Sequence, residues 1–141
     1  MSKIAVVYWS ATGNTEAMAK AVLEGVIDSG ADAALFSCGE FDASTLDKYD
    51  AVAFGCPAMG AEQLEDFEFE PMFEACKDKL KGKKLGLFGS YGWGDGEWMR
   101  SWEDSSRQSG AVLAGNGVIA MGYPNEESIE SCKALGKKLA A

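Results

Sequence analysis

The stretch IAVVYWSATGNTEAMAKAVLEGV, residues 4–26, decides the fold. Its first five residues, Ile4-Ala5-Val6-Val7-Tyr8, are a short apolar run rich in β-branched side chains, the pattern of a strand buried on both faces. A polar turn follows, Ser10-Ala11-Thr12-Gly13-Asn14-Thr15. Met18, Ala21, Val22, Gly25 and Val26 then recur at i, i+3, i+4, i+7 and i+8, which is one face of a helix. Glu16 stands in the first turn, where the helix dipole favours negative charge, and Ser29-Gly30 ends the helix. Strand, tight turn and helix in that order open a βαβ unit.

The rest of the chain repeats the alternation. Ala33 to Ser37 reads as a weaker second strand and Asp50-Ala51-Val52-Ala53-Phe54-Gly55 as a third. The loop Cys56-Pro57-Ala58-Met59-Gly60-Ala61-Glu62 comes next, then a helical stripe of Phe69, Met72, Phe73, Cys76 and Leu80. Lys84 to Ser90 is a fourth strand, followed by Tyr91-Gly92-Trp93-Gly94-Asp95-Gly96 and a helix from Glu97 to about Ser109 with Trp98 and Trp102 on one face. Val112 to Ala120 holds a fifth strand, and Ile129, Cys132, Gly136 and Leu139 mark a closing helix. Alternation of this kind predicts a parallel sheet covered by helices on both faces, a three-layer, doubly wound α/β domain spanning residues 1–141. Right-handed crossovers leave few topologies. In the five-strand order 2-1-3-4-5 the direction reverses between strands 1 and 3, and ligands bind there, outside the carboxyl ends of the strands. The loops after strands 1 and 3 flank that crevice and the loop after strand 4 lies one strand beyond.

Charge and cysteine usage narrow the function. The chain carries 22 acidic against 13 basic residues, a net charge of −9, which argues against nucleic acid and anionic membrane surfaces and suits either partners with a basic docking patch or a chain that simply stays soluble. It has no histidine, so histidine-based nucleophilic or general acid–base catalysis is excluded. Cys38, Cys56, Cys76 and Cys132 form no C-x-x-C pair, so no zinc site is expected. The N-terminal MSKIAVVYW lacks a signal-peptide cleavage site, and no apolar run approaches the length of a membrane span; a reduced, cytoplasmic protein is expected.

The first loop offers three hydroxyls, one amide and a glycine ahead of a helix start, with no Lys or Arg. A helix N-terminus presents unpaired N–H groups and partial positive charge, Gly13 lets the backbone approach an anion, and Ser10, Thr12 and Thr15 can add donors. That suits a terminal phosphate; a plain capping turn fits the same residues. The nucleoside-triphosphate pattern G-x-x-x-x-G-K-[ST] is absent. A literal G-x-G-x-x-A at Gly115 to Ala120 lies inside the fifth strand, outside the strand–turn–helix context that a dinucleotide turn needs.

The segments YWSATGNTEAMA, GCPAMGAEQLED and LFGSYGWGDGEWM resemble, in order and spacing, the three FMN-binding segments of flavodoxins of the short-chain, clostridial type. Flavodoxins are themselves a type example of the 2-1-3-4-5 order with FMN at the switch point. The resemblance implies a flavodoxin-like fold and a low-potential one-electron carrier. It would bind a single non-covalent FMN, shuttle electrons between redox proteins through the semiquinone/hydroquinone couple, and act as a monomer without substrate turnover of its own. The implied cofactor contacts are Trp9, Ser10, Ala11, Thr12, Gly13, Asn14 and Thr15; Pro57, Ala58, Met59, Gly60, Ala61 and Glu62; and Ser90, Tyr91, Gly92, Trp93, Gly94 and Asp95. Trp93, between two glycines, is placed to stack on one face of the isoalloxazine ring, and folding back onto the core is its alternative. Met59 supplies a polarizable thioether for the other face, although methionine is more often core filler. Gly60 would lie beside the ring N5, where the Met59–Gly60 peptide is free to turn its carbonyl inward on reduction, and Glu62 would accept from N3–H. Ser90, Tyr91, Gly92 and Asp95 would line the ribityl and pyrimidine side. The acidic run Glu62, Glu65, Asp66, Glu68 and Glu70 is expected near the ring, where it would lower the potential and steer basic partners; a solvated helix start is its plainer reading. Position 11 is alanine where many relatives carry glycine, and Met121-Gly122-Tyr123-Pro124-Asn125 matches no tight family pattern.

Two other classes share the topology. A quinone or flavin reductase would need a substrate face that Trp93 would cover. A receiver domain would need acidic residues after the first strand, where Trp9-Ser10 stand. No cysteine begins the C-x5-R of a low-molecular-weight phosphatase.

Overall fold

The computed structural model describes residues 2–59 and 63–141. Strands β1 (Lys3–Tyr8), β2 (Asp32–Ser37), β3 (Ala51–Gly55), β4 (Lys84–Tyr91), β5 (Val112–Leu113) and β6 (Val118–Met121) form one sheet. Its order is β2-β1-β3-β4-β5, with β6 also on β4, and every pairing is parallel. Alternation along β1 sends Ile4 and Val6 to one face and Ala5 and Val7 to the other.

The first face is covered by helices α1 (Asn14–Asp28) and α5 (Glu126–Ala140), whose Met18, Val22, Val26, Cys132, Leu135 and Leu139 are buried against it. Burying each large aliphatic side chain contributes about 1.5–3 kcal/mol. The two helices touch backbone to backbone, because a Cβ at Gly136 would collide with the Val22 carbonyl. The second face is covered by α3 (Phe69–Cys76) and α4 (Glu97–Gln108), which bring Phe69, Phe73, Trp98 and Trp102 onto Phe54 and Leu87. Phe54, Phe69, Phe73 and Trp102 meet mostly edge to face, with ring centroids 5.3–6.2 Å apart.

One crossover is irregular, and the reading of the fifth strand needs correction. The crossover from β2 to β3 contains no full helix, only a 3₁₀ turn (Cys38–Glu40) and the four-residue α2 (Ala43–Leu46). Residues 38–50 are too few for a long helix with two connections, and the buried Phe41 and Leu46 cover the sheet there instead. The fifth strand is split. Leu85 pairs Leu113 and Phe88 pairs Val118, so three steps along β4 face five along the partner. Gly115 and Gly117 fall in the break, where glycine weakens a strand, and the Gly117 N–H donates to Glu103 Oε2 at 2.7 Å instead of to a ladder. No helix among the described residues is long and apolar enough to cross a membrane.

Candidate functional site

The carboxyl ends of β1, β3 and β4 open onto a crevice of about 190 Å³. Trp9, Ser10, Ala11, Thr12, Asn14 and Thr15 line it from the first loop, Pro57, Ala58 and Met59 from the second, and Ser90, Tyr91 and Gly92 from the third. It sits where the strand order reverses, as the sequence predicts.

The first loop is built to leave donors free. The Gly13 N–H donates to Ser10 Oγ at 3.1 Å, which tightens the turn. Gly13 adopts φ 92°, a left-handed conformation that disfavours any side chain although a Cβ would meet no atom there. No side chain caps the start of α1, so the first N–H groups of a 15-residue helix lack an intrahelical acceptor, and Asn14 and Thr15 of that first turn line the crevice. Of the hydroxyls expected to donate, Thr15 is buried and its Oγ1 lies 2.8 Å from Ser90 Oγ, so this pair is largely satisfied internally.

The second loop is a continuation of the sheet. Cys56 N–H donates to the Phe88 carbonyl (3.1 Å) and Ala58 N–H to the Ser90 carbonyl (2.9 Å), which pins it beside the third loop. Met59 and Gln63 exchange both backbone hydrogen bonds, at 2.7 and 2.9 Å, and so draw the ends of the segment between them together. Gly60, Ala61 and Glu62, with the roles expected of them, lie outside the described residues. From below, the buried Trp98 donates its indole N–H to the Cys56 carbonyl at 3.2 Å.

In the third loop Trp93 is 63 % exposed, so it has not folded back onto the core. Trp93, Gly94 and Asp95 are not among the residues lining the crevice, and neither is Gly13. Asp95 turns toward α4, where Arg100 holds its carboxylate at 3.0 Å and its carbonyl at 3.0 Å. Gly122, from the loop onto which no role was carried, does line the crevice, and its N–H donates to the Tyr91 carbonyl at 2.9 Å. No sequence signal marks it; the pairing of β6 with β4 brings it there.

The acidic run divides. Glu65 is buried and accepts from the N–H groups of Phe67 (2.9 Å), Glu68 (2.8 Å) and Phe69 (2.7 Å). Burial raises its carboxyl pKa, but the three donors together outweigh that and hold it below the ordinary range. Glu65 is therefore a structural cap and not a solvated steering charge. Glu68 accepts from the Trp9 indole at 3.1 Å. Burial, with the nearby Glu68 and Glu65 carboxylates, pushes the Cys38 thiol up to about 11, and burial pushes Cys56 higher still, so neither offers a thiolate near neutral pH.

A larger groove of about 480 Å³ runs between α3 and α4. Its walls carry Asp66, Glu70, Glu74 and Glu97 against one ammonium, Lys77, which repels an anion; the uncapped helix start in the smaller crevice attracts one.

The sequence profile described as flavodoxin matches residues 6–134. The flavodoxin of Clostridium beijerinckii is 44% identical over 135 residues, which cover 96% of this chain and 97% of that one. The flavodoxin of Megasphaera elsdenii is 43% identical over 139 residues, 97% of this chain and 98% of that one. The solution structure of the two-electron reduced Megasphaera elsdenii flavodoxin superposes with a TM-score of 0.87, covering 97% of this chain and 98% of its own. A flavodoxin from the domain Archaea, 28% identical, superposes with a TM-score of 0.86 over 98% of this chain and 96% of its own.

Proposed function

The chain belongs to the flavodoxin family and is an FMN-binding electron carrier of redox proteins rather than an enzyme; on that premise we propose how its own residues hold the cofactor and meet their partners. The observation that carries the proposal is the start of α1: a long helix opens onto the crevice with no side-chain cap and no cation in the preceding loop. Such an end suits one terminal phosphate in a protein of net charge −9.

Bound FMN supplies one-electron chemistry on its isoalloxazine ring. The residues Ser10 to Thr15 bind its phosphate, with Trp9 and Ala11 closing the loop around it. Ser90, Tyr91 and Gly92 line the ribityl chain, and Pro57 and Ala58 form the opposite wall. Met59 and Trp93, 38 % and 63 % exposed on loops that follow adjacent strands, cover the two faces of the ring and exclude water from it. The family resemblance assigns Gly60, Ala61 and Glu62 to the ring edge, where Gly60 would serve N5 and Glu62 would accept from N3–H. Gly94 and Asp95 contribute backbone to the pyrimidine end, since the Asp95 carboxylate is engaged by Arg100. The surplus of carboxylates makes added negative charge on the ring costly and so lowers its potential. The same surplus selects partners that present basic patches. The protein works as a monomer in the cytoplasm.

The test is a titration of apoprotein with FMN, followed by quenching of flavin fluorescence, with riboflavin and inorganic phosphate as competitors. The proposal expects micromolar or tighter FMN binding, weaker riboflavin binding, and competition by phosphate. Equal affinity for riboflavin and FMN would overturn the role given to the first loop.

A further inference from the structure

Trp9 is a wall shared by two depressions. On one side is the crevice lined by the three loops; on the other is a depression of about 280 Å³ lined by Tyr8, Glu16, Cys38 and Glu68. Its backbone is fixed, because the Trp9 N–H extends the β1 ladder to the Gly55 carbonyl at 3.0 Å. The indole is half-buried, and its Nε1–H donates to Glu68 Oε1 at 3.1 Å, across 59 residues of sequence. Glu68 itself starts from a fixed point. Its N–H donates to the buried Glu65 carboxylate at 2.8 Å, and the N–H groups on either side of it do the same.

We infer that Glu68 is a positioning residue for the cofactor site: its carboxylate holds the Trp9 ring in place as the wall of the FMN crevice. Without that acceptor the ring has the neighbouring depression to turn into, and the first loop loses its outer boundary. The chain of contacts runs from the buried Glu65, through the backbone of residue 68, to the indole, and so makes closure of the first loop depend on the segment that leads into α3. This inference rests on the FMN reading above. The hydrogen bond and the charge of Glu68 are separable, since a glutamine at 68 still presents an acceptor oxygen without the charge.

The experiment measures FMN dissociation constants for Glu68→Gln, Glu68→Ala, Trp9→Phe and the double variant Trp9→Phe/Glu68→Ala. In parallel it follows exchange of the Trp9 indole N–H in the ¹⁵N-labelled apoprotein, assigned by its loss in Trp9→Phe. Glu68→Ala and Trp9→Phe should each weaken FMN binding roughly fivefold to tenfold, the range for one hydrogen bond to a charged group at a partly exposed site. Glu68→Gln should stay within a factor of about two of the parent. The double variant should bind no worse than either single one, because both remove the same contact. The indole proton should exchange faster in Glu68→Ala than in the parent or in Glu68→Gln. The inference is overturned if Glu68→Gln loses as much affinity as Glu68→Ala, if the two losses multiply in the double variant, or if indole exchange ignores the substitution. A parent protein that takes up no FMN would instead refute the cofactor reading, and the exchange arm would still decide whether Glu68 holds the ring.

Discussion

Thr15 and Ser90 meet with hydroxyl oxygens 2.8 Å apart, both buried, where each lines the crevice at the strand ends. One residue lies in the first turn of α1 and the other near the end of β4, so the contact ties the first loop to the strand that carries the third loop. The Ser90 N–H also approaches Thr15 Oγ1, at 3.4 Å. Thr15→Val keeps the shape and removes the hydroxyl, leaving the Ser90 hydroxyl buried and unpaired. The expected loss is about 1–3 kcal/mol of apoprotein stability in urea denaturation. Thr15→Val/Ser90→Ala should cost less than the sum of the two single changes, since it leaves neither hydroxyl buried without the other.

Trp93 and Trp98 share a residue type and little else. Trp93 is 63 % exposed, and Trp98 is 2 % exposed with its indole bonded to the Cys56 carbonyl. Trp93→Ala should leave apoprotein stability within about 0.5 kcal/mol of the parent while weakening FMN binding and raising the lower of the two reduction potentials. Trp98→Ala should cost about 3–5 kcal/mol of stability, whatever it does to the cofactor. Denaturation of both apoproteins, with a reductive titration of the Trp93 variant, separates ring contact from core packing.

Glu65 makes stability depend on pH in a definite direction. Its carboxyl is held below the ordinary range by three N–H donors, so the folded state favours the ionised form. The contribution is complete above the unfolded value of about 4.3 and fades as pH falls through the lower folded value. Glu65→Gln turns an amide N–H toward a backbone donor and should cost about 1–3 kcal/mol at neutral pH. The gap between parent and variant should narrow below about pH 4, which denaturation at several pH values would show. A gap that stays constant with pH would mean that the charge on Glu65 does not matter.

Gly13 is left-handed with open space around its Cα, so a side chain there costs backbone energy alone. Gly13→Ala should lower stability by about 1–2 kcal/mol and weaken FMN more than riboflavin, because the disturbed turn is the one to which the proposed function assigns the phosphate. Equal weakening of both ligands in a fluorescence titration would place the effect elsewhere.

Much of this was legible without coordinates, for a physical reason that differs from segment to segment. Strand β1, the turn at residues 10–15 and helix α1 are contiguous, and both their period and their turn chemistry are local properties. The buried stripe read for α1, Met18, Ala21, Val22, Gly25 and Val26, is buried in the fold. The same holds for Phe69, Phe73 and Cys76 in α3. The break between β5 and β6 was not legible, because two glycines in an apolar run mark either a weak strand or a gap, and the register of β4 selects the gap.

What the amino-acid order determined by itself is the alternation of strands and helices, the placing of three unusual loops after strands 1, 3 and 4, and a helix start without cations, all of which depend on neighbours in the chain. What only the tertiary structure decided is which side chains from those loops meet. Glu65 and Glu68 stand three residues apart in one acidic run, yet one is a buried cap for its own helix and the other reaches Trp9 from a different loop. Thr15 finds Ser90 across 75 residues, and Gly122 reaches the crevice only because β6 pairs with β4. A carboxylate's acceptor geometry and a hydroxyl's partner are set by the packing of distant strands, and no pattern within a single segment encodes them.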